Sequence, residues 1–125
     1  MDTNHSISTK LETFFKTTYI LVDFVRGYDV GLETLYYRVI LVGGENGDVC
    51  LKISDCPHTD NLTFIVSEDK LFKPTTQFII HRDQIMDDNK YDEFIIYISG
   101  ILSAFTKVKY GSNIKKNIYN IVGDI

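Results

Sequence analysis

Leu35-Tyr36-Tyr37-Arg38-Val39-Ile40-Leu41-Val42-Gly43-Gly44-Glu45-Asn46-Gly47-Asp48-Val49-Cys50-Leu51-Lys52-Ile53-Ser54 is the stretch on which the fold turns. Two runs rich in β-branched and aromatic residues, 35–42 and 49–54, flank a short Gly-rich and polar segment, which is the pattern of a β-hairpin. Asn46-Gly47 suits a type I′ turn, whose two central residues need positive φ. A turn centred there opposes Val42 with Leu51 and Ile40 with Ile53 on one face. It also brings Arg38 opposite Asp55.

Upstream the period changes. Ile7, Leu11, Phe14, Phe15, Thr18, Leu21, Val22 and Val25 recur at three- and four-residue intervals, the signature of one apolar helical face. Thr9 and Glu12 fit a capping box, and Gly27 can end a helix in the left-handed region. The spacing therefore predicts a helix over 9–26, with residues 1–7 a frayed terminus. Downstream, 62–66 and 76–81 read as further strands. Phe94, Ile95, Ile98, Ile101, Leu102, Phe105 and Val108 then return to helical spacing, although the Ile-rich stretch Glu93 to Ile98 also suits a strand. Asp92 and Glu93 at the start and Lys107 and Lys109 at the end suit the macrodipole of a helix over 93–109. Gly111 stops it, and Ser112 can cap a short final helix with Ile114, Ile118 and Ile121. This order implies an α+β domain spanning 1–125. A four-stranded antiparallel sheet would carry the N- and C-terminal helices on one face. The expected core includes Phe14, Leu21, Ile40, Leu51, Ile53, Ile98, Leu102 and Phe105.

The 125 residues suffice for one domain that folds without staples. Thirteen Lys plus Arg against seventeen Asp plus Glu give a net charge of −4. That balance argues against nucleic acid, whose binders need a basic surface to release counterions. The start is polar and lacks the basic and apolar regions of a secretory signal. The most apolar stretch, 94–108, is interrupted by Ser99, Gly100, Ser103, Thr106 and Lys107, short of the about 20 residues a membrane span needs. The expectation is a cytoplasmic protein without a membrane association, with Cys50 and Cys56 reduced.

Few residues point to chemistry. The Gly43–Gly47 loop precedes a strand and lacks a following Lys-Ser or Lys-Thr, so it is no phosphate cradle. Cys50, Cys56 and His58 have wider spacing than a structural zinc site and lack a fourth ligand, so no metal or other cofactor is expected. His81-Arg82-Asp83 matches the start of a kinase catalytic loop, but Asn89 falls one place late and no Gly-rich nucleotide loop precedes it. Cys56, His58, His81 and Asp83 could line a pocket between sheet and helices, which would make the protein a small enzyme or ligand-binding domain.

Asp83, Asp87, Asp88, Asp92 and Glu93 crowd into eleven residues with Lys90 the lone counter-charge. An acidic surface steers a basic partner through charge complementarity, while charge runs also serve solubility alone. Tyr91 lies among these acids as a candidate anchor, and Glu45 with Asp48 at the hairpin tip form a second acidic site. Tyr28, Tyr36, Tyr37 and Tyr110 suit interfaces or a half-buried sheet face equally. The four lysines after Phe94 (Lys107, Lys109, Lys115 and Lys116) are too few for nucleic-acid binding. With no coherent catalytic set, the sequence favours a non-catalytic, stoichiometric inhibitor of a basic protein. Immunity proteins, antitoxins and phage or viral anti-defence proteins are of this kind.

Overall fold

The computed structural model describes residues 3–71 and 73–111. Helix α1 (Thr3–Thr18) is followed by strands β1 (Leu21–Asp29), β2 (Thr34–Gly44), β3 (Gly47–Asp55), β4 (Asn61–Glu68) and β5 (Thr76–His81), then helices α2 (Arg82–Met86) and α3 (Tyr91–Phe105). The five strands form one antiparallel sheet in chain order, β1-β2-β3-β4-β5. The architecture is α+β as expected, but the sheet has five strands and not four. The final helix read after Ser112 lies outside the described residues.

The extra strand comes from the segment read as the second half of the first helix. α1 ends at Thr18, where Tyr19 N makes the last helical bond to Phe15 O at 3.0 Å. Val42 N then donates to Ile20 O at 3.0 Å, drawing the chain onto the free edge of β2. Leu21, Val22 and Val25 satisfy helical spacing, but the two β-branched valines sit at least as well in a strand, and an open β2 edge decides between them. Gly27 is no helix stop. It pairs directly with Tyr36, whose ring lies across it where any Cβ would overlap. At the other end, residues 3–7, read as frayed, are helical, and Ile7 is fully buried.

The central hairpin also closes differently. Gly44 pairs with Gly47, so Glu45-Asn46 is the two-residue turn, and Gly47 takes the positive φ of 90°. The register slips between Leu41 and Gly44, and Asp48 Oδ1 accepts from Gly43 N at 3.4 Å across this bulge. Val39 therefore opposes Leu51, and Tyr37 opposes Ile53. Arg38 faces Lys52 rather than Asp55. Because side chains alternate, an odd shift exchanges the faces of one strand. Tyr37, Val39 and Leu41 are buried, and Ile40 is only half-buried on the opposite face.

All buried apolar side chains of the sheet lie on the face that the helices cover. Ile7, Leu11, Phe14 and Phe15 from α1, and Phe94, Ile98 and Leu102 from α3, join Val39, Leu51, Ile53, Phe64 and Ile80 in one cluster. α3 keeps the expected helical phase but stops at Phe105, and Phe105 is 51% exposed rather than part of the core. Leu21 is partly buried at the cluster's margin. Leu102→Ala is accordingly expected to cost about 2–5 kcal/mol and Phe105→Ala about 1 kcal/mol or less, read from urea denaturation midpoints. Equal losses at the two positions would contradict this placement of the end of α3.

Candidate functional site

The acidic residues gather at the junction of α2 and α3. β5 runs into α2 through His81, whose Nδ1 accepts from Asp83 N at 3.3 Å while its own N–H donates to Gln84 Oε1 at 2.9 Å. This reciprocal capping box starts α2 with only five residues. The His-Arg-Asp triplet is therefore a helix start. Asp87 ends α2, its N–H donating to Asp83 O at 2.8 Å, and its Oδ1 accepts from Asn89 N at 2.9 Å to shape the turn into α3. Asp92 and Glu93 occupy the first turn of α3, where negative charge is favoured.

Lys10 of α1 holds this corner. Its Nζ donates to the carbonyls of Ile85 and Met86 at 3.2 Å each, near the end of α2, and to Asp88 Oδ1 at 2.7 Å. The Lys10 hydrogen bond and charge keep the Asp88 carboxyl below its ordinary pKa. Tyr91 faces the same way: its hydroxyl donates to Lys10 O at 3.3 Å, and its ring stacks on Phe94 with centroids 5.6 Å apart. Burial pushes its phenol up to about 12. Tyr91 thus supports the corner from inside, while Asp83, Asp88, Asp92 and Glu93 are exposed and Asp87 is half-buried. Fixing a charged surface in advance reduces the ordering cost of any association.

Cys56, His58, His81 and Asp83 all lie at this end of the sheet, but their contacts diverge. His58 Nε2 sits 3.5 Å from Glu33 Oε2 of the β1–β2 turn, and His81 Nδ1 lies 3.9 Å from Asp83 Oδ2. The Cys56 carbonyl accepts from Arg82. Among the described residues, no three His, Cys, Asp or Glu side chains come together as metal ligands would. Cys50 is on the uncovered sheet face, where burial raises its thiol pKa and Arg38 partly offsets the rise. Most of the other tyrosines are structural. Tyr37 is buried, Tyr36 covers Gly27, and Tyr110 stacks on Tyr19 at 5.3 Å, while Tyr28 on the β1 edge and Tyr97 on α3 are exposed.

Two charged residues that mark the ends of the covered face escape a reading by charge clusters. Asp55 is fully buried and meets Arg82 Nη2 at 2.7 Å. Glu68, 4% exposed, accepts from Asn46 Nδ2 at 2.8 Å. Strand alternation could have found both: Leu51, Ile53, Asp55 and Leu62, Phe64, Val66, Glu68 each continue a core-facing row.

A scan of family models, a search of curated proteins and a search of solved structures each give no significant match. Among the described residues, no helix is long and apolar enough to cross a membrane.

Proposed function

We propose that the protein is a non-catalytic, stoichiometric inhibitor that binds a basic protein partner in the cytoplasm, in the manner of an immunity protein, an antitoxin or an anti-defence protein. The observation that carries this reading is the acidic corner. Four exposed carboxylates (Asp83, Asp88, Asp92 and Glu93) project from a short helical turn whose backbone is held by Lys10, by Tyr91 and by the His81–Gln84 capping box. A surface of net negative charge on a fixed frame raises association rates with a basic partner and disfavours acidic competitors. The competing reading, an enzyme or ligand pocket lined by Cys56, His58, His81 and Asp83, gains little from the structure. His58 is engaged with Glu33, and His81 with the start of α2.

The test is the variant Asp88→Asn, Asp92→Asn, Glu93→Gln, which spares Asp87 because its carboxylate shapes the turn. Binding to the partner, once captured and identified, is measured at rising salt. The fold is expected to survive, with association slowed and its salt dependence reduced, since screening tightens to about 3 Å at 1 M. Unchanged affinity with an unchanged salt slope would mean that the acids only solubilise the protein.

A further inference from the structure

The two buried carboxylates differ in one respect. Among the described residues Asp55 has a guanidinium from its own chain, whereas Glu68 has only the amide of Asn46 on Oε2. Glu68 Oε1 has no partner among the described residues, and the side chain lines a pocket of about 120 Å³ between the hairpin tip and the end of α3. A single water needs about 10–15 Å³, so a small planar group fits.

The surroundings favour a cation. Glu45 lines the same pocket and is exposed. Thr106 N and Oγ1 both donate to Leu102 O, at 2.9 and 2.7 Å, closing the helical ladder of α3. The carbonyls of Ser103, Ala104 and Phe105 therefore lie beyond the last helical amide, at the negative end of the α3 dipole. Lys107 borders the pocket but forms no ion pair among the described residues. The walls are fixed: Gly44 packs so closely on Lys107 that a Cβ there would overlap it, and Lys109 N donates to Val42 O at 3.1 Å.

We propose that this pocket receives one guanidinium group, the arginine side chain of a basic protein partner. Naming a protein as its source rests on the function proposed above; the pocket's affinity for the group does not. A guanidinium offers five donors in a planar fork, which matches a carboxylate beside divergent carbonyls better than a point-like ammonium does. Phe105 is among the lining residues as well.

The experiment is an NMR titration with N-acetyl-arginine amide, with the uncharged N-acetyl-citrulline amide of the same shape as control. Saturable millimolar binding of the arginine probe is expected, with shifts confined to the amides of 44–47, 68 and 103–107. Citrulline should bind at least about tenfold more weakly. Glu68→Gln keeps an acceptor for Asn46 and should reduce arginine affinity by at least about tenfold. Equal binding of both probes, shifts elsewhere, or unaltered affinity in Glu68→Gln would overturn the proposal. If that variant does not fold, Glu45→Gln decides. A twofold or greater loss is then required, and no loss overturns the proposal. The triple variant at the α2–α3 corner should bind the probe normally, so failure here and failure of the acidic-corner reading are separate results.

Discussion

Arg82→Ala is expected to lower stability by about 3–5 kcal/mol, a large fraction of the 5–15 kcal/mol typical of a domain. The Arg82 side chain is only 15% exposed, and its Nη2 lies 2.7 Å from an oxygen of the fully buried Asp55. The same nitrogen donates to Thr59 O at 2.9 Å and to Cys56 O at 3.2 Å, tying the β3–β4 loop to the start of α2. Among the described residues neither Asp55 oxygen has an aligned hydrogen bond, so the ion pair is what compensates this carboxylate for lost water. Removing the guanidinium alone strands a buried charge. Replacing both partners, as in Asp55→Leu with Arg82→Met, should recover most of the loss, because well-packed apolar groups substitute for a buried pair at little cost. Urea denaturation at neutral pH measures both variants. A loss below about 1 kcal/mol in Arg82→Ala would show that water reaches Asp55.

This pair also shows where reading from sequence stops. Alternation along β3 places Asp55 on the covered face, but nothing in the spacing selects Arg82, twenty-seven positions later, as its partner. His81-Arg82-Asp83 matches a kinase signature only by chance, whereas His81 and Gln84 at capping-box spacing are the physical signal for α2. Strand β5 and α3 were legible because each has a clear boundary, Pro74 before β5 and the acids before α3, and because helical spacing holds over 94–108 although the Ile-rich start of α3 also suits a strand. β1 was not, since Leu21, Val22 and Val25 satisfy either period and only the unpaired edge of β2 settles the matter. The hairpin turn slipped because Asn46-Gly47 is locally the best pair for positive φ, while the bulge after Leu41 moves the turn one place earlier.

The candidate site was legible as composition but not as geometry. The acids between Asp83 and Glu93 are plain in the sequence, and the structure leaves most of them exposed. What no local pattern gives is Lys10, more than seventy residues earlier, reaching the end of α2 and Asp88. Tyr91 looked like a surface anchor from its neighbours. Its place between Lys90 and Asp92 hides that it is three residues from Phe94, on the side of α3 that meets α1. Glu45 and Asp48 were paired by proximity in the hairpin. In the structure Asp48 is occupied with the bulge at Gly43, and Glu45 instead shares a pocket with Glu68.

Phe14→Ala should cost about 3–5 kcal/mol, and the effect should reach the acidic corner. Phe14 is 2% exposed and meets three rings edge-on: Phe15 at 4.9 Å, Phe94 at 5.3 Å and Tyr19 at 5.9 Å. Such pairs add about 0.5–1.5 kcal/mol each beyond the apolar area they bury. The contact with Phe94 joins α1 to α3, and Lys10 stands one turn before Phe14 on α1. An ammonium that bonds two α2 carbonyls and Asp88 keeps its geometry only while α1 is seated against α3. Phe14→Leu refills most of the volume without the ring contacts, and should recover over half of the lost stability. Denaturation midpoints give the energies, and hydrogen exchange at the α2 amides reports the corner. Faster exchange there in Phe14→Ala, and not in the surface variant Phe105→Ala, is the expected pattern. Protection of α2 that stays unchanged while global stability falls would mean that the corner is held by Lys10 and the capping box without help from the aromatic core.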